Sequence, residues 1–245
     1  MPYVVVTREP DAAAPYATVL AAFGLETIAM PVTRSEPPRD PGALPRALEV
    51  GGYAAILVAS PRAASALLAA SAHPPCDVWA IGLATARVLE AAGVSAIVPS
   101  QVRDGASAAR AMLAAGDLVG KKLLVPHAEH GRDEAIAILR DAGVEVDAVV
   151  AYRTVAVAGD EPAIARGREL LADGAAALCV VFAPSQVAAL DALVGVRAIA
   201  TRWVAIGDTT AAALRERGVV VAGVAETPTP EGIANAVAAV YPPRR

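Results

Sequence analysis

A doubly wound α/β fold, repeated in two related domains, is what this sequence predicts, and three observations predict it. Short apolar runs without polar alternation recur along the chain, as strands buried on both faces require. Ala-rich stretches of helical length separate them, the strand–helix alternation of an α/β protein. Three blocks also recur in order at offsets of 119, 123 and 125 residues, too long for a solenoid and right for a duplicated domain.

Taken in chain order, strands are expected over residues 3–6, 27–30, 55–59, 78–81, 123–126, 146–151, 178–182, 204–206 and 219–222. Helices are expected over residues 11–23, 61–72, 85–92, 133–142, 186–194 and 209–217. Gly24, Gly93, Gly143 and Gly218 stand where helices stop, because glycine adopts the left-handed C-terminal cap without penalty. The repeat pairs Val4-Val-Val-Thr-Arg8 with Leu123-Leu-Val-Pro-His127, Ile56–Pro61 with Cys179–Pro184, and Ile81–Leu89 with Ile206–Leu214. Residues 31–41 are proline-rich and polar, so they are extended, and residues 151–158 are a candidate to pair with them as a two-strand ribbon. Which segments share a domain is left open by the sequence.

Composition removes several classes of function. Aromatics are 4% against 56% hydrophobic residues, so the core is made of small aliphatic side chains and the chain is folded. A net charge of −4 without any Lys/Arg tract argues against nucleic acid or a membrane surface as partner. Residues 3–7 are too short and lack the basic start of a signal peptide, and the apolar run at 175–183 is far shorter than a membrane span. Cys76 and Cys179 stand far apart, as in a soluble cytoplasmic protein without disulfides. His73, His127 and His130 have no metal-ligand spacing; the loop at residues 116–122 is one residue short of a phosphate loop and has Lys122 where a hydroxyl should hold magnesium. Neither a dinucleotide glycine fingerprint nor a serine-hydrolase elbow is present.

What remains is a set of strand-to-helix turns rich in small and hydroxyl residues: Thr7-Arg8, Ser60-Pro61-Arg62, Gly82 to Thr85, His127 to Arg132, Ala183-Pro184-Ser185 and Gly207 to Thr210. At the carboxyl ends of parallel strands, free amides of helix N-termini favour anions, so such turns suit a multiply carboxylated ligand. Each has a plainer reading. Ser60 and Thr209 fit as N-caps, Gly82 and Gly207 as tight turns, Thr85 and Thr210 as hydroxyls bonded back into a helix, Arg8, Arg62 and Arg132 as surface charges, and Tyr152 as a packing residue.

Those same stretches resemble the uroporphyrinogen-III synthase family. Val6-Thr7-Arg8 is similar to its opening strand end, Ala59-Ser60-Pro61-Arg62-Ala63-Ala64 to its TSPRAV-like motif, and Ile81-Gly82-Leu83-Ala84-Thr85-Ala86 to its VGxATA turn. Ala151-Tyr152-Arg153-Thr154-Val155 matches its VYxTV segment, Phe182-Ala183-Pro184-Ser185 its FTSPS-like turn, Ile206–Ala211 its IGPTTA turn and Ala225–Gly232 its AExPTPEGL signature. Asp208, Ala183 and Ala59 depart from the usual proline, hydroxyl residue and threonine.

The resemblance implies two doubly wound parallel-sheet α/β domains joined by a two-strand connector, residues 1–34 with 156–245 and residues 35–155. It implies a cofactor-free monomeric hydro-lyase that cyclises hydroxymethylbilane to uroporphyrinogen III. Arg8, Ser60, Arg62, Gly82, Thr85, Arg132, Ser185, Gly207, Thr209 and Thr210 would bind substrate, and Tyr152 would hydrogen-bond the departing hydroxyl. A non-catalytic tetrapyrrole or small-anion sensor of the same fold is the alternative. A nucleotide-dependent transferase is disfavoured by the missing phosphate loop.

Overall fold

A computed structural model describes residues 1–241 apart from Gln101, Arg103 and Arg132. In chain order the elements are β1 Tyr3–Val6, α1 Pro10–Ala21, β2 Glu26–Ala29, β3 Thr33–Glu36, α2 Ala43–Val50, β4 Tyr53–Val58 and α3 Pro61–Ala70. There follow β5 Asp77–Ala80, α4 Leu83–Ala91, β6 Ala96–Ile97, α5 Gly105–Ala115, β7 Lys122–Ala128, α6 Glu134–Asp141 and β8 Glu145–Ala156. The last set is α7 Pro162–Ala172, β9 Ala176–Val181, α8 Pro184–Val194, β10 Arg202–Ala205, α9 Asp208–Glu216, β11 Val221–Val224 and α10 Pro230–Val240. The chain divides into two compact units, residues 1–34 with 155–245, and residues 35–154; Val155 falls in the first. The chain leaves the first unit along β3 and returns along β8, and these two strands are hydrogen-bonded neighbours.

In the first unit the sheet order is β11-β10-β9-β1-β2, with every pairing parallel. Successive residues of each strand point into different cores. Val4, Val6, Leu178, Val180 and Val204 pack towards α1 and α10, whereas Val5, Cys179, Val181, Trp203 and Ala205 pack towards α7, α8 and α9. Both directions are apolar, which is why these strands read as unbroken hydrophobic runs.

The second sheet has the order β3-β8-β7-β4-β5-β6. Ile56, Val58 and Leu124 pack with α3 and α4 on one face, and Ala55, Leu57, Leu123 and Val125 with α5 and α6 on the other. Element for element, β6-β5-β4-β7-β8 repeats β11-β10-β9-β1-β2. The repeat therefore extends to topology: each unit joins a strand–helix–strand piece from one half of the chain to a three-strand piece from the other.

Local chemistry sets the element ends. After α4, α6 and α9 the N–H of Val94, Val144 and Val219 donates to Leu89, Leu139 and Leu214, while Gly93, Gly143 and Gly218 donate to Glu90, Arg140 and Arg215. This is the Schellman closure, with its valine and leucine buried in the same core in each case. It also corrects one expectation: Val219 serves this cap, so β11 begins at Val221 rather than at 219. Proline at the first helical position starts α1, α3, α7, α8 and α10, which moves the start of α8 forward to Pro184. Helix α9 likewise starts at Asp208, with Gly207 as its N-cap, so Thr209 lies inside the helix and is not the cap.

Gly232 tests how closely α10 is held. A β-carbon there would collide with the Thr227 carbonyl oxygen, whereas one on Gly116 would meet nothing within 4 Å. Gly232→Ala is expected to cost about 1–3 kcal/mol through forced backbone movement, and Gly116→Ala to leave the melting temperature nearly unchanged. Equal melting temperatures for the two variants would show that the Thr227 contact is soft.

Candidate functional site

Strands β4 and β7 are neighbours, yet the helices that follow them lie on opposite faces of the second sheet: α3 packs with one core and α6 with the other. A crevice opens at the carboxyl ends of such a pair, because no helix crosses it. It is occupied by a cavity of about 320 Å³ whose wall includes Ala59, Ser60, Asp104, His127, Glu134 and Tyr152.

Ser60 caps α3 by accepting the Ala63 N–H at 3.1 Å, and its hydroxyl lies 3.1 Å from that of Tyr152. Tyr152 gets there through a β-bulge. His127 pairs with Val150 and Ala128 with Tyr152, which leaves Ala151 as the extra residue on β8. Ala151 and Tyr152, though adjacent, consequently both pack on the α3 side of the sheet. Without the bulge, alternation along the strand would send the tyrosine to the opposite face.

Nδ1 of His127 is buried in the same wall, and among the described residues it has no hydrogen-bond partner. Such a group costs about 1–3 kcal/mol while it stays unpaired.

The neighbouring turn is built differently. Gly82 has φ +80 and caps α4 without a side-chain bond, so its glycine is demanded by the backbone. Thr85 is buried, and its hydroxyl donates to the Ile81 carbonyl at 3.1 Å, the back-bonded arrangement. Arg62 is exposed in the first turn of α3. Arg132 lies outside the described residues.

The first unit reverses its winding between β1 and β9. Here the Arg8 guanidinium sits 4.6 Å from the ring centre of Phe182 and 5.4 Å from that of Tyr16. The two rings meet edge to face at 4.7 Å, so the charge is held over a fixed aromatic bracket. Beneath it the buried Thr7 hydroxyl donates to Gln186 Oε1 at 2.7 Å, with the Val180 carbonyl at 3.1 Å, and the same amide oxygen accepts the Phe182 N–H at 2.9 Å. The turn after β9 leaves the N-terminus of α8 without a side-chain cap, and Ser185 is exposed there.

Along the same edge Gly207 has an extended backbone, φ 175, and open space where a β-carbon would be. Neither strain nor crowding in the chain explains a glycine at this point, which removes the tight-turn reading. Thr209 is exposed and Thr210 buried. A second cavity, of about 400 Å³, touches Gly207 and is bordered by the acids Asp208 and Glu226.

The motifs give no sign of the Thr7–Gln186 pair or the Tyr16–Phe182 bracket, and they mark His127 only as the start of a candidate turn, without a role of its own. The repeat carried a signal for the last, since it sets His127 against Arg8. No group of three or more His, Cys, Asp or Glu able to hold a metal occurs among the described residues. Complete burial pushes the Cys179 thiol up, away from nucleophilic chemistry. Among the described residues no helix is long and apolar enough to cross a membrane.

The fold and these turns define a two-unit, doubly wound α/β protein of duplicated topology, with polar groups gathered where each sheet reverses. The uroporphyrinogen-III synthase HemD family model matches residues 14–235. The chain belongs to that family, whose members are cyclising lyases of porphyrin biosynthesis. It is similar in structure to uroporphyrinogen-III synthetase from Helicobacter pylori, with TM-score 0.66 and 16% identity over 96% of this chain and 97% of that one. It is also similar to a mutant uroporphyrinogen III synthase from the extremely thermophilic bacterium Thermus thermophilus, with TM-score 0.62 and 21% identity over 96% of each chain. At these identities the structural likeness establishes the fold.

The cap assigned to Ser60 has a measurable consequence. Ser60→Ala is expected to lower stability by about 1 kcal/mol, and Ser60→Gly by only a few tenths, because glycine is itself tolerated at an N-cap. Indistinguishable denaturation midpoints for Ser60→Ala and the parent would remove the cap.

Proposed function

We propose that this chain converts hydroxymethylbilane to uroporphyrinogen III, closing the linear tetrapyrrole with inversion of ring D and loss of water, as a cofactor-free cytoplasmic monomer. The family match over residues 14–235 carries the reading. Two unpaired cysteines and the absence of any membrane-length helix among the described residues agree with a cytoplasmic setting.

The ring A pyrrole nitrogen pushes out the terminal hydroxyl, which leaves as water and forms an azafulvene. Ring D then attacks through its substituted carbon, and the spiro intermediate fragments and recloses with that ring inverted. The chain's task is to fold the substrate so that this carbon reaches the azafulvene first, and to keep solvent water away from it. Positioning of this kind can account for as much as about 7–11 kcal/mol of barrier.

Ser60 and Tyr152 form the polar end of the cavity. Ser60 already accepts the Ala63 N–H. Its own proton is therefore best placed on the Tyr152 oxygen, 3.1 Å away, which frees the phenol proton for the departing hydroxyl. Acetate and propionate arms meet the uncapped N-termini of α4, α8 and α9 at Gly82, Ser185 and Gly207, with Thr209 beside the last. Arg8, Arg62 and Arg132 supply charge. Thr85 and Thr210 are buried and shape these turns from behind, presenting their backbone amides instead of their hydroxyls.

Turnover to the type III isomer, separated from the type I isomer that unassisted closure gives, is the direct test. Tyr152→Phe is expected to slow it about ten- to a hundredfold, roughly 1.4–2.7 kcal/mol, while stability shifts by no more than about 1 kcal/mol. Parent-like turnover in Tyr152→Phe, with loss only in Tyr152→Ala, would make this residue a wall and nothing more.

Gly207 separates ligand from fold in the other unit. Gly207→Ser places a good N-cap in open space, so stability is expected to hold or rise. The added side chain obstructs an anion at the α9 amides, and the KM is expected to rise about tenfold. An unchanged KM would free this turn from substrate binding.

A further inference from the structure

His127 occupies in the second unit the place that Arg8 occupies in the first. Leu123–His127 repeats Val4–Arg8, and β7 holds in its sheet the position that β1 holds in the other. Both residues come at the carboxyl end of a strand where the winding reverses, yet only Arg8 belongs to the recognised motifs.

The charges around His127 give it a role. Asp104 at the cap of α5, Glu134 in the first turn of α6 and Tyr152 on β8 line the same cavity, and no described lining residue is Lys or Arg. The imidazole is thus the one described lining group that can carry positive charge. Asp104 is engaged as a cap, accepting the Ser107 N–H at 2.7 Å. On the histidine's own segment Glu129 pairs with Arg39 at 2.8 Å, His130 lies 3.9 Å from Glu129, and Asp133 is exposed. Within the described chain nothing satisfies Nδ1 of His127. Among the described lining residues, protonation of this imidazole is what would complement an entering carboxylate beside the Glu134 side chain.

We propose that His127 is the carboxylate anchor of the second unit, holding an acetate or propionate arm as the imidazolium and matching Arg8 across the internal repeat. The inference rests on the tetrapyrrole reading above and adds to it the residue that fixes one arm. Binding and protonation are then linked: a bound carboxylate favours the charged ring, so affinity declines as pH rises through the interval in which imidazoles lose their proton while carboxylates stay ionised.

The test is the affinity for uroporphyrinogen III, kept reduced and titrated by calorimetry between about pH 6 and 8. Parent affinity is expected to fall about tenfold more across this interval than that of His127→Gln, and His127→Arg to hold tight binding at the upper end. In the nuclear magnetic resonance spectrum of the parent, the His127 ring is expected to stay protonated to higher pH when the ligand is present. That reading needs no variant to fold. Identical affinities and slopes in parent and His127→Gln, or a ring titration unmoved by ligand, would overturn the anchor while leaving type III turnover by the parent intact. A parent that neither binds uroporphyrinogen III nor forms it would overturn the tetrapyrrole reading itself.

Discussion

In each sheet one pair of neighbouring parallel strands sends its following helices to opposite faces: β1 with β9 in the first unit, β4 with β7 in the second. The cause is the burial requirement of a parallel sheet, which must be covered by helices on both sides. Winding outward in two directions from one pair covers both faces, and the pair itself is left uncovered at its carboxyl edge. Arg8 with its aromatic bracket lies at one such edge, and Ser60, Tyr152 and His127 at the other. The candidate site is thus a consequence of how the cores are closed.

The crossed repeat gives this arrangement a second layer. Because each unit combines pieces from both halves of the chain, the two reversal points are related by the repeat, and their side chains can be compared position by position. Some matches preserve chemistry, as Thr85 with Thr210, both buried near the start of a helix. Others diverge: Ser60, whose hydroxyl caps α3 and touches Tyr152, is matched by Ala183, which does neither. The tyrosine and its serine partner belong to the second unit alone. A duplicated scaffold has thereby acquired one polar, hydrogen-bonded crevice and one in which a stacked cation dominates.

Much of this fold is local and was legible in the residues. Buried parallel strands need apolar side chains on both faces, so they stand out as runs such as Val4–Val6 and Leu178–Val181. Glycine before valine marks Schellman closures because the left-handed cap and its buried contact are decided within six residues. The repeat offsets exposed the duplication, and the turns carrying family motifs pointed to the carboxyl edges. Helices α2, α5, α7 and α10 were not among the expected elements. Residues 219–220 have the apolar pattern of a strand, yet Val219 closes a helix.

Tertiary structure decided what depends on partners distant in sequence. The bulge at Ala151 exists only in the pairing of β8 with β7, and it turns Tyr152 towards Ser60, 92 residues away. Which hydroxyls are free was equally hidden: Thr85 is spent on the Ile81 carbonyl, while Thr7 is committed to Gln186 across 179 residues. Gly82 and Gly207 look alike in sequence, yet one is required by its backbone angle and the other is not. That Nδ1 of His127 finds no partner among the described residues is likewise a property of what surrounds it. Residue type and spacing encode local backbone preference and burial; the direction of a side chain and the partner left for it are settled only when separate strands lie side by side.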